Sequence, residues 1–132
     1  MLKIAKSVEY AILGLKYIAE NSHDKVVSTA EMSQELDMPY NLLAKIMQKL
    51  VKNNIIASVQ GTKGGYSLIR NPEDISLYSV ISALDQNIEI ADCFSSNDCK
   101  RNGNCCLENP LSNIQDKIID LFSNTTLKEI IN

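Results

Sequence analysis

The sequence predicts a mainly α-helical fold with one small β-hairpin, because apolar residues recur at helical spacing along most of its 132 residues. Only two short runs, Ile55 to Val59 and Tyr66 to Ile69, are β-prone, and a glycine-rich turn separates them. The composition, 45% apolar and 22% charged, is ordinary for a globular protein. At this length we expect a single domain, with some of its surface covered by a partner subunit.

The first helix is predicted from about Ala5 to Glu20. Its apolar stripe consists of Val8, Ile12, Leu15 and Ala19. Ser28 to Glu31 then has the pattern of a capping box, in which the Ser28 hydroxyl accepts from the Glu31 amide and Glu31 reaches back. The box predicts a short helix to about Leu36.

A further helix is predicted from Pro39, which suits a first turn, to about Lys52. We expect Leu42, Leu43, Ile46 and Leu50 to face inward. The outward face would carry Tyr40, Asn41, Ala44, Lys45, Gln48 and Lys49. A short helix, a tight turn and a second helix with such a face form a helix-turn-helix, whose second helix enters the major groove. A plain helical hairpin is the alternative.

The β-hairpin decides between these alternatives, because a hairpin directly after a recognition helix is the wing of a winged helix-turn-helix. We expect its turn to approach phosphates, with Lys63 at the tip. The turn residues are Gln60, Gly61, Thr62, Lys63 and Gly64. A nucleotide-binding loop is the disfavoured alternative, since the lysine is not followed by Ser or Thr.

The charge distribution also favours nucleic acid, although the net charge is −3. Residues 1–72 contain nine Lys and Arg against six Asp and Glu, whereas residues 73–132 contain four against ten. No acid lies between Asp37 and Glu73, a window that contains five basic residues. A basic segment in an acidic protein is typical of phosphate contact, and a solvated basic face is the alternative.

The C-terminal third is predicted to pair two copies of the chain. Asn109 and Pro110 form a helix start. The apolar seam that follows consists of Leu107, Leu111, Ile114, Ile118 and Leu121. We therefore divide the chain into a DNA-binding domain (1–84), a cysteine-rich loop (85–108) and a dimerisation helix with a C-terminal turn (109–132).

All four cysteines lie in one polar stretch, at Cys93, Cys99, Cys105 and Cys106. Five residues separate the first three, so the close pairing typical of structural zinc sites is absent. Evenly spread thiolates on a polar loop favour an iron–sulfur cluster over zinc. A disulfide pair is the third interpretation.

No signal peptide or membrane-spanning stretch is present, so we expect a cytoplasmic protein without a membrane partner. A thiol redox enzyme or metal carrier is disfavoured, because the Cys-x-x-Cys motif of such enzymes is absent. We expect no enzymatic activity. A metal-free thiol/disulfide redox switch that regulates transcription is the alternative function.

The order of these parts resembles the Rrf2 family of bacterial winged helix-turn-helix transcriptional regulators, which has IscR-like and NsrR-like members. The resemblance covers the whole chain and is most specific at Gly64-Gly65-Tyr66 and in the cysteine spacing. It implies a homodimer with a long crossing helix, here Pro110 to Phe122, that reads a pseudo-palindromic operator in double-stranded DNA. It also implies a 2Fe–2S or 4Fe–4S cluster on Cys93, Cys99 and Cys105 that senses iron–sulfur status, redox state or nitric oxide.

The fourth cluster ligand differs between family members. IscR-like proteins use a histidine at the position of Glu108 as the fourth ligand. NsrR-like proteins instead use a carboxylate early in the first helix, which reaches the cluster from the other subunit. Glu9 occupies that place here, with a plain first-turn acid as its alternative. Glu108 and Cys106 are the further candidates, Cys106 as an alternate ligand. Gln60 stands where the family often has a minor-groove Arg.

Overall fold

The computed structural model describes residues 3–23, 25–90 and 108–131. The helices are α1 (Lys6–Asn21), α2 (Thr29–Glu35), α3 (Tyr40–Lys52), α4 (Leu77–Ala83), α5 (Glu108–Asn124) and α6 (Leu127–Ile131). The hairpin consists of β1 (Ile56–Val59) and β2 (Gly65–Leu68), and a 3₁₀ turn (Pro72–Asp74) follows it. The prediction of a mainly α fold with one hairpin is confirmed.

Serine side chains cap the starts of α2 and α4. The Ser28 hydroxyl accepts from the Glu31 amide at 3.1 Å, as the capping box predicts. The Glu31 carboxylate, however, pairs with Lys25 Nζ at 2.9 Å. That hydrogen bond raises the pKa of Lys25. Ser76 caps α4 in the same way as Ser28 caps α2.

Asp or Asn in the left-handed conformation ends three of the described helices. Asp37, Asn54 and Asp85 have φ values of 52°, 59° and 57°. Each stands one residue past the C-cap, where glycine is most common and Asn or Asp is the usual substitute. The next residue donates its amide back into the helix: Met38 to Ser33 O (3.0 Å), Ile55 to Leu50 O (3.0 Å) and Gln86 to Ile81 O (3.2 Å). These reversals turn the chain sharply between elements.

The core lies where α1, α3, α4 and the hairpin meet. Its buried side chains include Val8, Ala11, Leu15, Ile18, Leu43, Ile46, Met47, Leu50, Ile55, Ile56, Val80 and Leu127. Leu42, expected to face inward, is instead 39% exposed. Leu43, Ile46, Met47 and Leu50 already complete the buried stripe of α3. Leu42 precedes Leu43 by one residue, about 100° around the helix, and so lies off that stripe.

The C-terminal residues return to the winged part of the fold. The Leu77 amide donates to Thr125 O at 2.8 Å, and the Leu127 amide donates to Ile75 O at 2.7 Å. The Leu127 side chain is buried in the core. The short α6 is therefore an integral part of the unit that contains α1 to α4.

Gly65 is required by a close backbone approach. Tyr66 exchanges backbone hydrogen bonds with Val27 at 2.8 and 2.9 Å, which adds a third extended segment beside the hairpin. A β-carbon on Gly65 would lie 2.6 Å from the Val27 carbonyl group. The wing is thereby tied to the segment that precedes α2.

We expect Gly65→Ala to lower the free energy of unfolding by about 1–3 kcal/mol, because the Val27 backbone cannot move aside without breaking its pairing. Gly14→Ala is the control. Its β-carbon would meet the terminal methyl of Met47 at 2.7 Å, and a Met side chain can rotate away. Replacing a helical glycine also gains about 1 kcal/mol of helix propensity. Urea denaturation of both variants tests the difference, and equal stabilities would contradict this account of Gly65.

No helix within the described residues is both long and apolar enough to cross a membrane.

Candidate nucleic-acid interface

The outer face of α3 carries the side chains expected to contact DNA. Tyr40 is 54% exposed. Asn41, Lys45, Gln48 and Lys49 are also exposed, and Ala44 is half-buried. Because α2 and the buried stripe of α3 form one packed pair, these side chains project from a rigid support.

Leu42 belongs to this exposed face, although its apolar character placed it in the core by sequence. It precedes Lys45 by three residues and Lys49 by seven, so the three side chains lie along one side of α3. An exposed apolar side chain on a recognition helix can contact the methyl group of thymine. Its spacing to the two lysines is the sequence signal that could have placed it on this face.

The wing turn presents a short polar loop. Gln60, Gly61, Thr62 and Lys63 are exposed, and Gly64 is half-buried. Gly61 has a φ of 114°, which L residues rarely adopt. A β-carbon on Gly64 would collide with the carbonyl oxygen of Val59. The two glycines are therefore needed to close the turn, whether or not they approach phosphate.

One lysine of the candidate interface is paired within the chain. Lys49 Nζ lies 3.3 Å from a carboxylate oxygen of Asp85, which follows α4. In the described part of the chain, neither Lys45 nor Lys63 forms an ion pair. Sequence reasoning missed the Asp85 contact, because Asp85 lies 36 positions after Lys49 in the chain.

The predicted cluster ligands Cys93, Cys99, Cys105 and Cys106 lie outside the described residues. Among residues 3–23, 25–90 and 108–131, no three His, Cys, Asp or Glu side chains form a group that could hold a metal. His23, the one histidine of the sequence, is exposed.

Glu9, the candidate fourth ligand, lies in the first turn of α1 with its side chain 47% exposed. Its carboxylate pairs with Lys6 Nζ at 3.0 Å, and this hydrogen bond raises the pKa of Lys6. Lys6 Nζ also lies 5.5 Å from the centre of the Tyr10 ring. An exposed pair of this kind contributes little stability, so the carboxylate can exchange its partner at low cost.

The segment leading toward the cysteines is fixed to α5 by one side chain. The Gln115 amide oxygen accepts from the Ile90 amide at 3.0 Å, and its nitrogen donates to the Ile88 carbonyl. These bonds place residues 88–90 beside the middle of α5. The described chain before the cysteines is therefore held by the helix that follows them.

An apolar groove runs between α5 and the start of α1. It has a volume of about 790 Å³. Its apolar lining includes Ile4, Ile88, Ile90, Ile114, Ile118 and Leu121. Leu121 is 61% exposed and Ile114 is 47% exposed. The other face of α5 packs on the core through Phe122, so the helix has one covered face and one uncovered apolar face.

Comparison with known proteins agrees with this architecture. A protein-family model described as "Rrf2: Iron-dependent Transcriptional regulator" matches residues 4–132. The HTH-type transcriptional regulator IscR of Pectobacterium atrosepticum is 28% identical over 131 residues, which is 99% of this chain and 80% of that protein.

Two solved structures show the same fold. CymR of B. subtilis, a global cysteine regulator, superposes with a TM-score of 0.76 at 21% identity, over 99% of this chain and 97% of that one. IscR of T. potens superposes with a TM-score of 0.70 at 20% identity, over 98% and 86%. The predicted winged helix-turn-helix is confirmed by these likenesses.

The relatives are named as transcriptional regulators, which confirms the expectation that the chain is not an enzyme. Regulators of this family bind DNA and generally act as dimers. From the family match over residues 4–132, the chain belongs to the Rrf2 family of transcriptional regulators.

Proposed function

We propose that this chain is a cytoplasmic, homodimeric DNA-binding regulator that senses iron–sulfur status, redox state or nitric oxide through an iron–sulfur cluster. One observation supports the proposal: this member of the family has both a lysine-bearing recognition helix and three cysteines at regular spacing. The DNA-binding part rests on described side chains. The sensing part rests on the cysteine sequence and the family match.

DNA contact is assigned to the outer face of α3 and to the wing turn. The exposed aromatic, amide and lysine side chains of α3 suit base edges and phosphates in a major groove. Lys63 at the wing tip suits a neighbouring phosphate. No acid from Met38 to Pro72 opposes these charges, although Asp85 reaches Lys49 from outside that window.

The dimer is assigned to the uncovered apolar face of α5. Ile114, Ile118 and Leu121 recur at spacings of four and three residues, which produces a continuous seam along one side of the helix. A second copy related by a two-fold axis would cover the same seam with its own. Two recognition helices related by such an axis would read a pseudo-palindromic operator.

The cluster is assigned to Cys93, Cys99 and Cys105, because thiolates are the usual protein ligands of iron–sulfur clusters. Glu9 of the second copy is proposed as the fourth ligand, and Cys106 as an alternate. The exposed Glu9 carboxylate, held only by Lys6 among the described residues, is free enough to fit this role. When bound, the cluster would supply a redox-active group open to oxygen or nitric oxide.

DNA binding is tested with Lys45→Ala. We expect weaker binding to duplex DNA, and a salt dependence of log K that is shallower by about 0.9 for each phosphate that the variant no longer neutralises. The measurement is fluorescence anisotropy of a duplex selected by the wild-type chain, at several salt concentrations. Lys16→Ala is the control, since Lys16 is an α1 lysine that pairs with Glu20 at 4.0 Å. Equal salt slopes for all three proteins would show that α3 is not the DNA-contacting helix.

A further inference from the structure

The ion pair between Lys49 and Asp85 joins two parts of the proposed DNA-binding unit. Lys49 lies on the outer face of α3, and Asp85 is the first residue past the C-cap of α4. Their charged atoms are 3.3 Å apart, with side-chain exposures of 47% and 81%. The Asp85 carboxylate therefore pairs, on the exposed side of the protein, with the same ammonium group that a DNA phosphate would contact.

The fold fixes this approach. The Asn53 side-chain nitrogen donates to Lys49 O at 2.8 Å and to Ala83 O at 3.5 Å, which links the end of α3 to the end of α4. The reversal at Asp85, with its φ of 57°, is held by the amide of Gln86 bonded to Ile81 O at 3.2 Å. The ends of α3 and α4 therefore position Asp85 beside Lys49.

Backbone conformation does not account for the charge of Asp85. Glycine, asparagine and aspartate can all adopt the left-handed conformation one position past a helix C-cap, so the chain reversal itself requires no carboxylate. A negative charge there also lies at the C-terminal end of α4, where the helix dipole favours cations. The aspartate charge therefore gains its stabilisation from Lys49, the one cation paired with it among the described residues.

We propose that Asp85 is an internal competitor of DNA phosphate: it neutralises Lys49 in the free protein and must be displaced before Lys49 contacts DNA. This inference rests on the proposed DNA-binding function. It assigns to Asp85 the role of lowering affinity for any duplex, irrespective of sequence, because a phosphate contact carries no base information. Asp85 lies three residues before Ile88, where the segment that α5 holds through Gln115 begins, so the competitor lies near the start of the chain leading to the cysteines.

The test uses Asp85→Asn, because asparagine also accepts the left-handed conformation and preserves the chain reversal. We expect duplex binding to tighten by about two- to fivefold for each protomer, the range that one exposed ion pair allows. We also expect a steeper salt dependence, by up to about 0.9 in slope for each protomer. The melting temperature should stay the same or rise.

Two controls separate competition from a general charge effect. Glu73→Gln removes a carboxylate that pairs with Lys128 at 3.9 Å, outside the proposed interface, and makes the same change in net charge. Asp85→Asn in a Lys49→Ala background should leave affinity equal to that of Lys49→Ala alone. If Asp85→Asn tightens binding no more than Glu73→Gln, or acts equally without Lys49, the inference is wrong while DNA binding stands. A wild-type chain that binds no duplex at any salt concentration would overturn both.

Discussion

Leu121→Asp is expected to convert the dimer into a monomer and to abolish tight operator binding. Leu121 is 61% exposed in the protomer, so a polar residue there costs the isolated fold little. In the proposed dimer the same side chain is buried in the α5 seam, where loss of an apolar anchor costs about 2 kcal/mol. A two-fold interface contains the change twice, so the dimer dissociation constant should rise roughly a thousandfold, or about 4 kcal/mol.

Light scattering after size exclusion measures the change in mass, and anisotropy measures the accompanying loss of DNA affinity. Ser123→Asp is the matched control. It adds the same charge to an exposed position on the last turn of α5, two residues from the seam, and should leave a DNA-binding dimer. A Leu121→Asp protein that remains dimeric would mean that the copies meet through another surface.

Replacing any one of Cys93, Cys99 or Cys105 with Ser is expected to remove most of the bound iron and the visible absorbance. Each supplies one of the three proposed thiolate ligands, and a hydroxyl is a poor substitute for a thiolate on iron. Cys106→Ser is the control within the same segment and should retain both iron and colour. If instead Cys106→Ser alone bleaches the protein, Cys106 is a ligand and one of the evenly spaced cysteines is spare.

Glu9→Gln tests, in the same assay, whether Glu9 is a cluster ligand or only an acidic residue in the first turn of α1. Loss of a carboxylate ligand should change the absorption spectrum and the rate of bleaching by nitric oxide, while the three thiolates still retain iron. Lys6→Ala, which breaks the Lys6–Glu9 pair without removing the carboxylate, is the control. Identical spectra and bleaching rates for Glu9→Gln and wild type would assign Glu9 a surface role.

Much of the fold could be predicted because its signals are local. Ser28 and Pro39 mark the helix starts, and the glycine-rich turn marks the wing, all within a few residues of the structure that they determine. Apolar content alone misplaced Leu42, because a helix has room for only one buried stripe and Met47 completes it. The interpretation of the turn glycines as phosphate contacts overlooked their role in closing the hairpin.

The contacts between distant parts of the chain could not be predicted. By sequence Asp85 was only the first residue of the predicted cysteine-rich loop (85–108), and Gln115 was one polar residue of the predicted dimerisation helix. The fold places Asp85 beside Lys49 and Gln115 beside the backbone of residues 88–90. Both contacts depend on how elements that are distant in sequence are oriented in space. No spacing along the sequence encodes that orientation.

The most direct test of cluster sensing is the visible absorption spectrum of the anaerobically purified wild-type chain, taken together with its iron and acid-labile sulfide content. We expect a brown protein with broad visible absorbance and with iron and sulfide in matching amounts. A colourless protein, free of iron and sulfide but still able to bind DNA, would contradict the cluster. In that case the four cysteines would act as a metal-free thiol switch or hold zinc.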